Sequence, residues 1–463
     1  MNILILGAGR TGGTLAEQLA SEEFDVTLVD RDERRLTELR GRLDIQTVTG
    51  HASQPDVLRQ AGAEDADMLI AVTSSDEVNM VACQVCYSLF QTHQKVARIR
   101  AMAYTQRSDE TKRDSEFFDS DHMPIDVIVN PERLVTEQIE QLLDHPGALQ
   151  VLDFGGGRLQ LVAVAIDRSD PLVDAPLGSL SERLPGVRVH PAAIFRRGQP
   201  FLPDRLTTVE PGDEICFLGE RDQIAHTLAE LRPVSPLKRI TIAGGGNIGF
   251  QLAQNVESRF AVRVIEFDHD RAEQISRQIN GLVIHGDATD AELLANENIE
   301  RTDVFCALTN DNEVNIMSAL LAKRLGAKQA MSLIAKPAYA DLVHATEVDI
   351  AISPQLATAS AILTHVRRGH VQSVQRLRRG IAEAMEVTVT GEARYSRVVG
   401  RPVNGIRLPA DTTIGAVVHE GEVMLGGNSE HHLATGDTVI VFLADRRQSR
   451  AVENLFGVGL SYF

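Results

Sequence analysis

The sequence has little cysteine, no long apolar run, no excess of positive charge and none of the common hydrolase signatures. Four cysteines in 463 residues exclude a disulfide framework. Cys83 and Cys86 make one CxxC, but it lies in a helical pattern over 78–89, and no second Cys or His pair completes a zinc site. The pair reads as core packing, since free cysteine behaves as a small hydrophobe. The longest apolar runs, such as 3–6 and 161–166, are strand-sized, far short of the ~20 residues that span a bilayer. Met1-Asn2-Ile3-Leu4-Ile5-Leu6 has no basic leader and runs straight into a glycine loop. It reads as a strand and not a signal peptide, so a soluble, cytoplasmic protein is expected. Lys and Arg total 46 against 64 Asp and Glu, a formal net charge of −18. That balance disfavours nucleic acid and anionic lipid as partners. It suits a basic protein surface, such as the Lys/Arg-rich cytoplasmic loops of membrane proteins. No GxSxG elbow and no GxxxxGK[ST] loop is present. The 14 histidines are scattered without metal-ligand spacing, His431-His432 reads as a solvated loop, and no metal site or catalytic group is expected.

What is present is a repeat. Gly7 and Gly244 are 237 residues apart, and Val26–Val262, Gly50–Gly286 and Asn79–Asn315 are each 236 apart. Length alone suggests roughly three domains, whereas a duplication argues for an even number. The first copy alternates strand and helix: strands at 2–6, 25–30, 45–49 and 68–73, helices at 13–21, 32–43, 55–61 and 78–89. Alternation of this kind implies an α/β, doubly wound parallel sheet. Each copy is followed by short alternating strands, residues 150–233 and 372–463. These tails also match, with Gly198 and Gly421 at hairpin tips 223 residues apart and Gly212-Asp213 facing Gly436-Asp437, 224 apart. Four modules are expected, at 1–140, 141–232, 238–369 and 370–463, with Arg232-Pro233-Val234-Ser235-Pro236-Leu237 as linker.

The chemistry sits in GxGxxG, matched by Gly7, Gly9 and Gly12 and again by Gly244, Gly246 and Gly249. The first glycine permits a tight strand-to-helix turn, the second lets the backbone approach a pyrophosphate, and the third lets the helix pack on the strand. The helix N-terminus then offers unpaired N–H groups to phosphate. An acidic residue about 20 positions on completes the pattern. Asp30 and Glu266 hold that position, suited to ribose hydroxyls and repellent to a 2′-phosphate. A Rossmann-like sheet with an empty, degenerate site is the competing reading.

Three further positions distinguish the copies. His51 after the third strand faces Asp287, which could accept from an adenine amino group. Thr73 and Thr309 end the fourth strand, where ligands sit and where helix N-capping is an alternative role. Arg98 and Arg100 on the fifth strand face Leu333-Ile334, with Lys336 later. Arginine clamps phosphate bidentately and leucine cannot, so the two sites are expected to differ in affinity or ligand. The basic run from Arg367-Arg368-Gly369-His370 through Arg376, Arg378 and Arg379 reads as the entry to the last module, with Arg378-Arg379-Gly380 a hairpin turn matching Gly155-Gly156-Gly157.

The doubled glycine motif, Thr73-Ser74-Ser75-Asp76-Glu77-Val78-Asn79-Met80 with its parallel at 309–317, and Val398-Val399-Gly400-Arg401-Pro402 resemble the TrkA family over essentially the whole chain. This is the family of peripheral nucleotide-binding subunits of bacterial Trk potassium uptake systems. The resemblance implies tandem RCK units: a Rossmann-like RCK N-terminal (KTN) domain plus a small α+β RCK C-terminal domain, twice. It implies a homotetrameric ring beneath a membrane subunit of the TrkH or TrkG type, NAD(H) binding, and control by ATP and ADP. Carried over by residue, the first site takes Gly7, Ala8, Gly9, Arg10, Thr11, Asp30, Thr73, Ser74 and Arg98, to which the motif and its neighbours add Gly12, Arg31 and His51. The second takes Gly244, Gly245, Gly246, Asn247, Ile248, Gly249, Glu266, Asp287 and Thr309. The expected function is a regulatory gate without catalysis. An NAD-dependent oxidoreductase is the alternative, disfavoured by the duplicated β-rich tail and the missing acid–base partner.

Overall fold

The computed structural model describes residues 1–22, 24–105, 117–118, 122–231, 236–336, 339, 346–366, 370–427 and 429–457. The proposed linker therefore falls mostly outside the described residues, as do Arg367, Arg368 and Gly369 of the basic run.

The first six strands are β1 (Asn2–Leu6), β2 (Asp25–Asp30), β3 (Gln46–Thr49), β4 (Met68–Ala71), β5 (Gln94–Arg98) and β6 (Val127–Val129). They form one parallel sheet in the order β3-β2-β1-β4-β5-β6. Strand order reverses between β1 and β4, and the carboxyl edge there is where such sheets bind ligands. Both faces are covered, which is why the strands are apolar throughout. Ile3, Ile5 and Leu28 face one core, and Leu4, Leu6, Val29 and Leu69 face the other. The sheet recurs as β12 (Arg239–Ala243), β13 (Ala261–Glu266), β14 (Leu282–His285), β15 (Val304–Ala307), β16 (Gln329–Leu333) and β17 (Ile350–Ile352), again parallel and in the same order.

After each parallel sheet comes a five-stranded antiparallel one. The first, β7 (Ala148–Phe154), β8 (Leu159–Ala165), β9 (Val189–Arg196), β10 (Gln199–Phe201) and β11 (Glu214–Glu220), has the order β10-β9-β11-β8-β7. The second, β18 (Val371–Leu377), β19 (Ala382–Thr388), β20 (Thr412–His419), β21 (Glu422–Leu425) and β22 (Thr438–Leu443), has the corresponding order, β21-β20-β22-β19-β18. Arg197-Gly198 and Glu420-Gly421 close matching two-residue hairpins with all four φ positive, at +50°, +82°, +46° and +92°.

Several elements differ from expectation. The first helix starts at Arg10 and not Gly13, because Gly9 serves as N-cap and Gly12 lies inside the first turn. The helix expected over 78–89 is Asp76–Val85 followed by a π-turn at Cys86–Phe90, which keeps Cys83, Cys86 and Phe90 in one buried core. Burial raises both thiols, Cys86 to about 11, consistent with packing and not redox use. Arg376 of the basic run is internal: its guanidinium lies 3.8 Å from the buried Glu383, while Arg378 pairs with Glu214 at 2.8 Å.

The chain divides into two compact units that do not follow sequence order. One comprises Met1–Leu134 with Gln355–Arg367; the other comprises Val135–Pro354 with Arg368–Phe463. The helix Pro354–Val366 follows the second parallel sheet in sequence, yet buries Ala359, Ile362, Leu363 and Val366 with Ile3, Leu15 and Leu28 of the first. Conversely, the helix Pro131–Asp144 follows the first sheet, yet Val135, Ile139 and Leu142 pack with Ile240, Leu252 and Val256 of the second. In that second unit Asn255 donates to Glu140 at 2.6 Å and Arg259 pairs with Asp144. Ile362→Ala should therefore loosen the first sheet, at a cost of about 2–4 kcal/mol. Hydrogen exchange should show lost protection in β1 and β2 and none lost in β12 and β13.

Candidate functional site

The two glycine loops are superimposable in their constraints. Gly7 has φ +105° and Gly244 φ +100°, a region that disfavours a side chain. A Cβ on Gly12 would lie 1.8 Å from the Gly7 carbonyl oxygen, and one on Gly249 would lie 1.9 Å from that of Gly244. The third glycine is thus demanded by the helix pressing on the turn. The middle glycines differ in kind: a Cβ on Gly9 or Gly246 would meet nothing within 4 Å. That space lies over the N-termini of the helices Arg10–Ser21 and Asn247–Val256, where free N–H groups gather.

The acidic residues are tied to these loops. Asp30 Oδ2 accepts from the Ala8 N–H at 2.6 Å and Oδ1 from the Asp32 N–H at 2.8 Å. Glu266 repeats the pattern with the N–H groups of Gly245 at 2.5 Å and Asp268 at 2.8 Å. A carboxylate has about four acceptor positions, so two remain for hydroxyl donors. The Ala8 and Gly245 N–H groups are spent on this tie.

The rim after the fourth strand is organised by a buried amide. Thr73 Oγ1 donates to Asn79 Oδ1 at 2.7 Å, and Asn79 Nδ2 donates to the Arg98 carbonyl at 2.8 Å. In the second copy Thr309 Oγ1 donates to Asn315 at 2.7 Å, and Asn315 Nδ2 donates to the Leu333 carbonyl at 2.9 Å. Neither threonine caps a helix. The N-caps are Ser75, accepting from Val78, and Asp311, accepting from Val314. In the sequence Asn79 and Asn315 stand out only as aligned positions and as part of the family motif; their lack of charge and interior helix position give no sign of this role.

In the first copy a cleft of about 610 Å³ opens at the switch point. Its walls include Gly7, Gly9, Arg10 and Thr11 from the loop, Asp30, Arg31 and His51 from the ends of the second and third strands, and Thr73, Ser74 and Arg98 from the far rim. Ala8 and Gly12 are not on the wall; both are buried behind it. The cleft also takes Arg35, Ser75 and Gln355, which sequence reasoning missed. Arg35 follows from helical spacing after Asp32, but Gln355 arrives from a helix some 250 residues further along the chain. Arg98 lies in the cleft wall with Nη2 on the Thr73 carbonyl at 2.5 Å and a buried Nε that has no protein partner. Desolvation and then the neighbouring Arg100 hold its pKa below the usual arginine range, while Glu132 and Asp76 oppose the shift. Arg100 lies beyond the end of the fifth strand, with Nη2 on the Ser74 carbonyl at 2.6 Å. Buried Asp76 accepts from the N–H groups of Arg100 and Ala101 at 2.9 and 2.8 Å.

The second copy is less charged. Arg10, Arg31, Arg35 and Arg98 correspond to Asn247, Phe267, Arg271 and Leu333, and Asp76 corresponds to Asn312, which accepts from the N–H groups of Ala335 and Lys336 at 2.6 and 3.3 Å. Asn247 is exposed at the helix start, whereas Ile248 packs against the core and can offer only its backbone. Asp287 is exposed, with Oδ1 accepting from the Thr289 N–H and hydroxyl at 2.8 and 2.7 Å. His51, at the matching place, has Nδ1 beside the Ser53 hydroxyl at 3.0 Å. Lys336 turns instead to Glu313 at 3.0 Å.

A parallel sheet in this order, a glycine turn into a helix and a carboxylate closing the second strand define the Rossmann-like dinucleotide fold, here present twice, with a cleft at the switch point of the first copy. Residues 3–115 and 240–354 match the TrkA-N domain, and residues 161–232 match the TrkA-C domain. The chain is 51% identical over 465 residues to the Trk system potassium uptake protein TrkA of Halomonas elongata, covering 100% of both. It is 48% identical over 458 residues to that of Vibrio alginolyticus, covering 98% of each. The chain belongs to the TrkA family of Trk system potassium uptake proteins. Among solved structures, the crystal structure of the GsuK RCK domain aligns with TM-score 0.59 and 19% identity over 98% of this chain and 94% of that one. The GsuK channel bound to NAD aligns with TM-score 0.60 and 18% identity over 98% and 78%. At these identities the likeness is one of fold. Among the described residues no helix is long and apolar enough to cross a membrane.

The glycine geometry separates two substitutions. Gly12→Ala should cost about 2–3 kcal/mol or more, because backbone must move, whereas Gly9→Ala should leave stability nearly unchanged and strike ligand binding. Urea denaturation and nucleotide titration of both variants check this.

Proposed function

We propose that this chain is a regulatory subunit that binds NAD(H) and adenine nucleotides and gates a membrane potassium-translocating subunit, without catalysing a reaction on them. Family membership supports the potassium context, and one fold relative is the GsuK channel bound to NAD. The observation that carries the nucleotide reading is the first crevice: four arginines (Arg10, Arg31, Arg35 and Arg98) line a cleft in a chain of net charge −18. They surround the free N–H groups of a helix start, with Asp30 at the ribose edge. Such a local reversal of sign draws an anionic ligand. The same lining supports a binding role. Arginine does not exchange protons near neutral pH, and the cleft's other ionisable side chains, Asp30, Asp32 and His51, lie at the ends of β2 and β3.

The first site is proposed to consist of the glycine loop with Arg10 and Thr11, Asp30 and Arg31, His51, Thr73, Ser74 and Arg98. The second is proposed to use the loop from Gly244 to Gly249 with Glu266, Asp287 and Thr309, and to bind more weakly or differently for want of three of the four arginines. Ligand binding shifts a conformational balance only by its preference for one state. A coupling of roughly 1–3 kcal/mol changes the open population about 5- to 150-fold. We propose a homotetrameric ring, held at the inner face of the membrane by a TrkH/TrkG-type partner, as the body that transmits this shift.

Asp30→Asn keeps an acceptor for the Ala8 N–H and removes the charge. It should weaken NADH about tenfold, ~1.4 kcal/mol, and narrow the preference for NADH over NADPH. Calorimetric titration with NADH, NAD, ATP and ADP tests this and counts live sites. Flux through the reconstituted membrane subunit tests the gate: if Asp30→Ala with Glu266→Ala abolished binding yet nucleotide-dependent flux persisted, the reading would fail. Steady oxidation of bound NADH by a carbonyl substrate would favour the oxidoreductase instead.

A further inference from the structure

The two small antiparallel modules each bury a carboxylate at the same place, just before their β11 or β22 strand: Asp213 is 1% exposed and Asp437 is 2% exposed. In the first module Arg196, at the end of β9, forks onto it, with Nε to Oδ1 and Nη2 to Oδ2 both at 2.8 Å, and the Glu210 N–H adds a third bond at 2.9 Å. A buried carboxylate needs a charged partner, and a guanidinium supplies one permanently.

The second module keeps the carboxylate and the backbone donor, now the Ala434 N–H at 2.8 Å, but has no arginine there. His419 stands in place of Arg196 at the end of β20. His431, expected in a solvated loop, turns inward from the segment between β21 and β22, while His432 is exposed. His419 Nδ1 lies 2.6 Å from Asp437 Oδ1, and His431 Nε2 lies 3.0 Å from Oδ2. The ring centroids are 4.7 Å apart, and the three ligand atoms lie within 4.8 Å of one another.

The expectation that no histidines share metal-ligand spacing holds along the sequence and fails in space. Two imidazole nitrogens and one carboxylate oxygen suit zinc and its borderline divalent neighbours, whereas calcium and magnesium prefer oxygen throughout. A divalent ion would do what Arg196 does in the first module, facing a buried carboxylate with a fixed positive charge. It would also spare two imidazoles in near contact from both being protonated.

We propose that His419, His431 and Asp437 form a three-ligand site for a zinc-class divalent cation, with water completing the shell. Binding would pin the β20–β21 hairpin to the loop that precedes β22. Protons compete for the same nitrogens. Apparent metal affinity should therefore fall as pH drops through the imidazole range.

The full-length protein, stripped by a chelator and dialysed, is titrated with Co²⁺ while its visible absorption is followed, then back-titrated with Zn²⁺. The expected result is one saturable Co²⁺ per chain, displaced by Zn²⁺ and lost in His431→Gln. His419→Arg recreates the pairing of the first module, so it should lose the cobalt band while melting no lower than the metal-free parent. A stripped protein with no saturable site would overturn the proposal and leave hydrogen bonds from the two imidazoles as the carboxylate's side-chain partners. Equal cobalt binding by the parent and by folded His419→Arg would also overturn it, since the metal would then sit elsewhere.

Discussion

The close approach of a helix to the turn that feeds it governs this molecule. At each parallel sheet the first strand reverses through a glycine of positive φ, and the helix that follows presses its third glycine against that carbonyl. No side chain fits between them. The press aims the helix N-terminus at the switch point and leaves open space above the middle glycine. The crevice is therefore a by-product of backbone packing, and the acidic residue on the second strand is bound into the same loop through a backbone N–H.

Around that shared frame the two copies keep geometry and vary charge. The buried amides Asn79 and Asn315 tie the rim in the same way in both. The groups that would meet a polyanion diverge: arginines of the first crevice give way at the matching positions of the second copy to asparagine, phenylalanine and leucine, and a buried aspartate to an asparagine. The small modules follow the same pattern. One buried carboxylate is answered by a guanidinium and its twin by two imidazoles. Packing constraints are steep, since a misplaced Cβ costs backbone strain. Electrostatic partners can be exchanged as long as the buried charge is met.

The exchange of helices between the halves adds a third constraint. Each parallel sheet completes a core with a helix encoded elsewhere in the chain, through Ile362 and Leu363 in one unit and Ile139 and Leu142 in the other. The same exchange brings Gln355 to the first crevice. A ligand there would thus touch a residue borne by the polypeptide that follows the second sheet, which gives the crevice a physical link to distant chain.

The duplication, the alternation of strand and helix, the parallel sheets, the hairpin tips and the glycine–carboxylate pairing were all legible along the chain. These rest on local rules: a period, a positive φ, a short loop, an N-terminus pointing at a turn. Each is decided within a few residues, so each leaves a mark in the order of amino acids. The tertiary structure alone decided which helix covers which sheet, that Asn79 and not Thr73 anchors the rim, that Arg376 is internal, and that His431 turns toward Asp437. Those outcomes depend on side chains tens to hundreds of residues apart meeting in space, and amphipathic helices that could cover either sheet carry no label saying which.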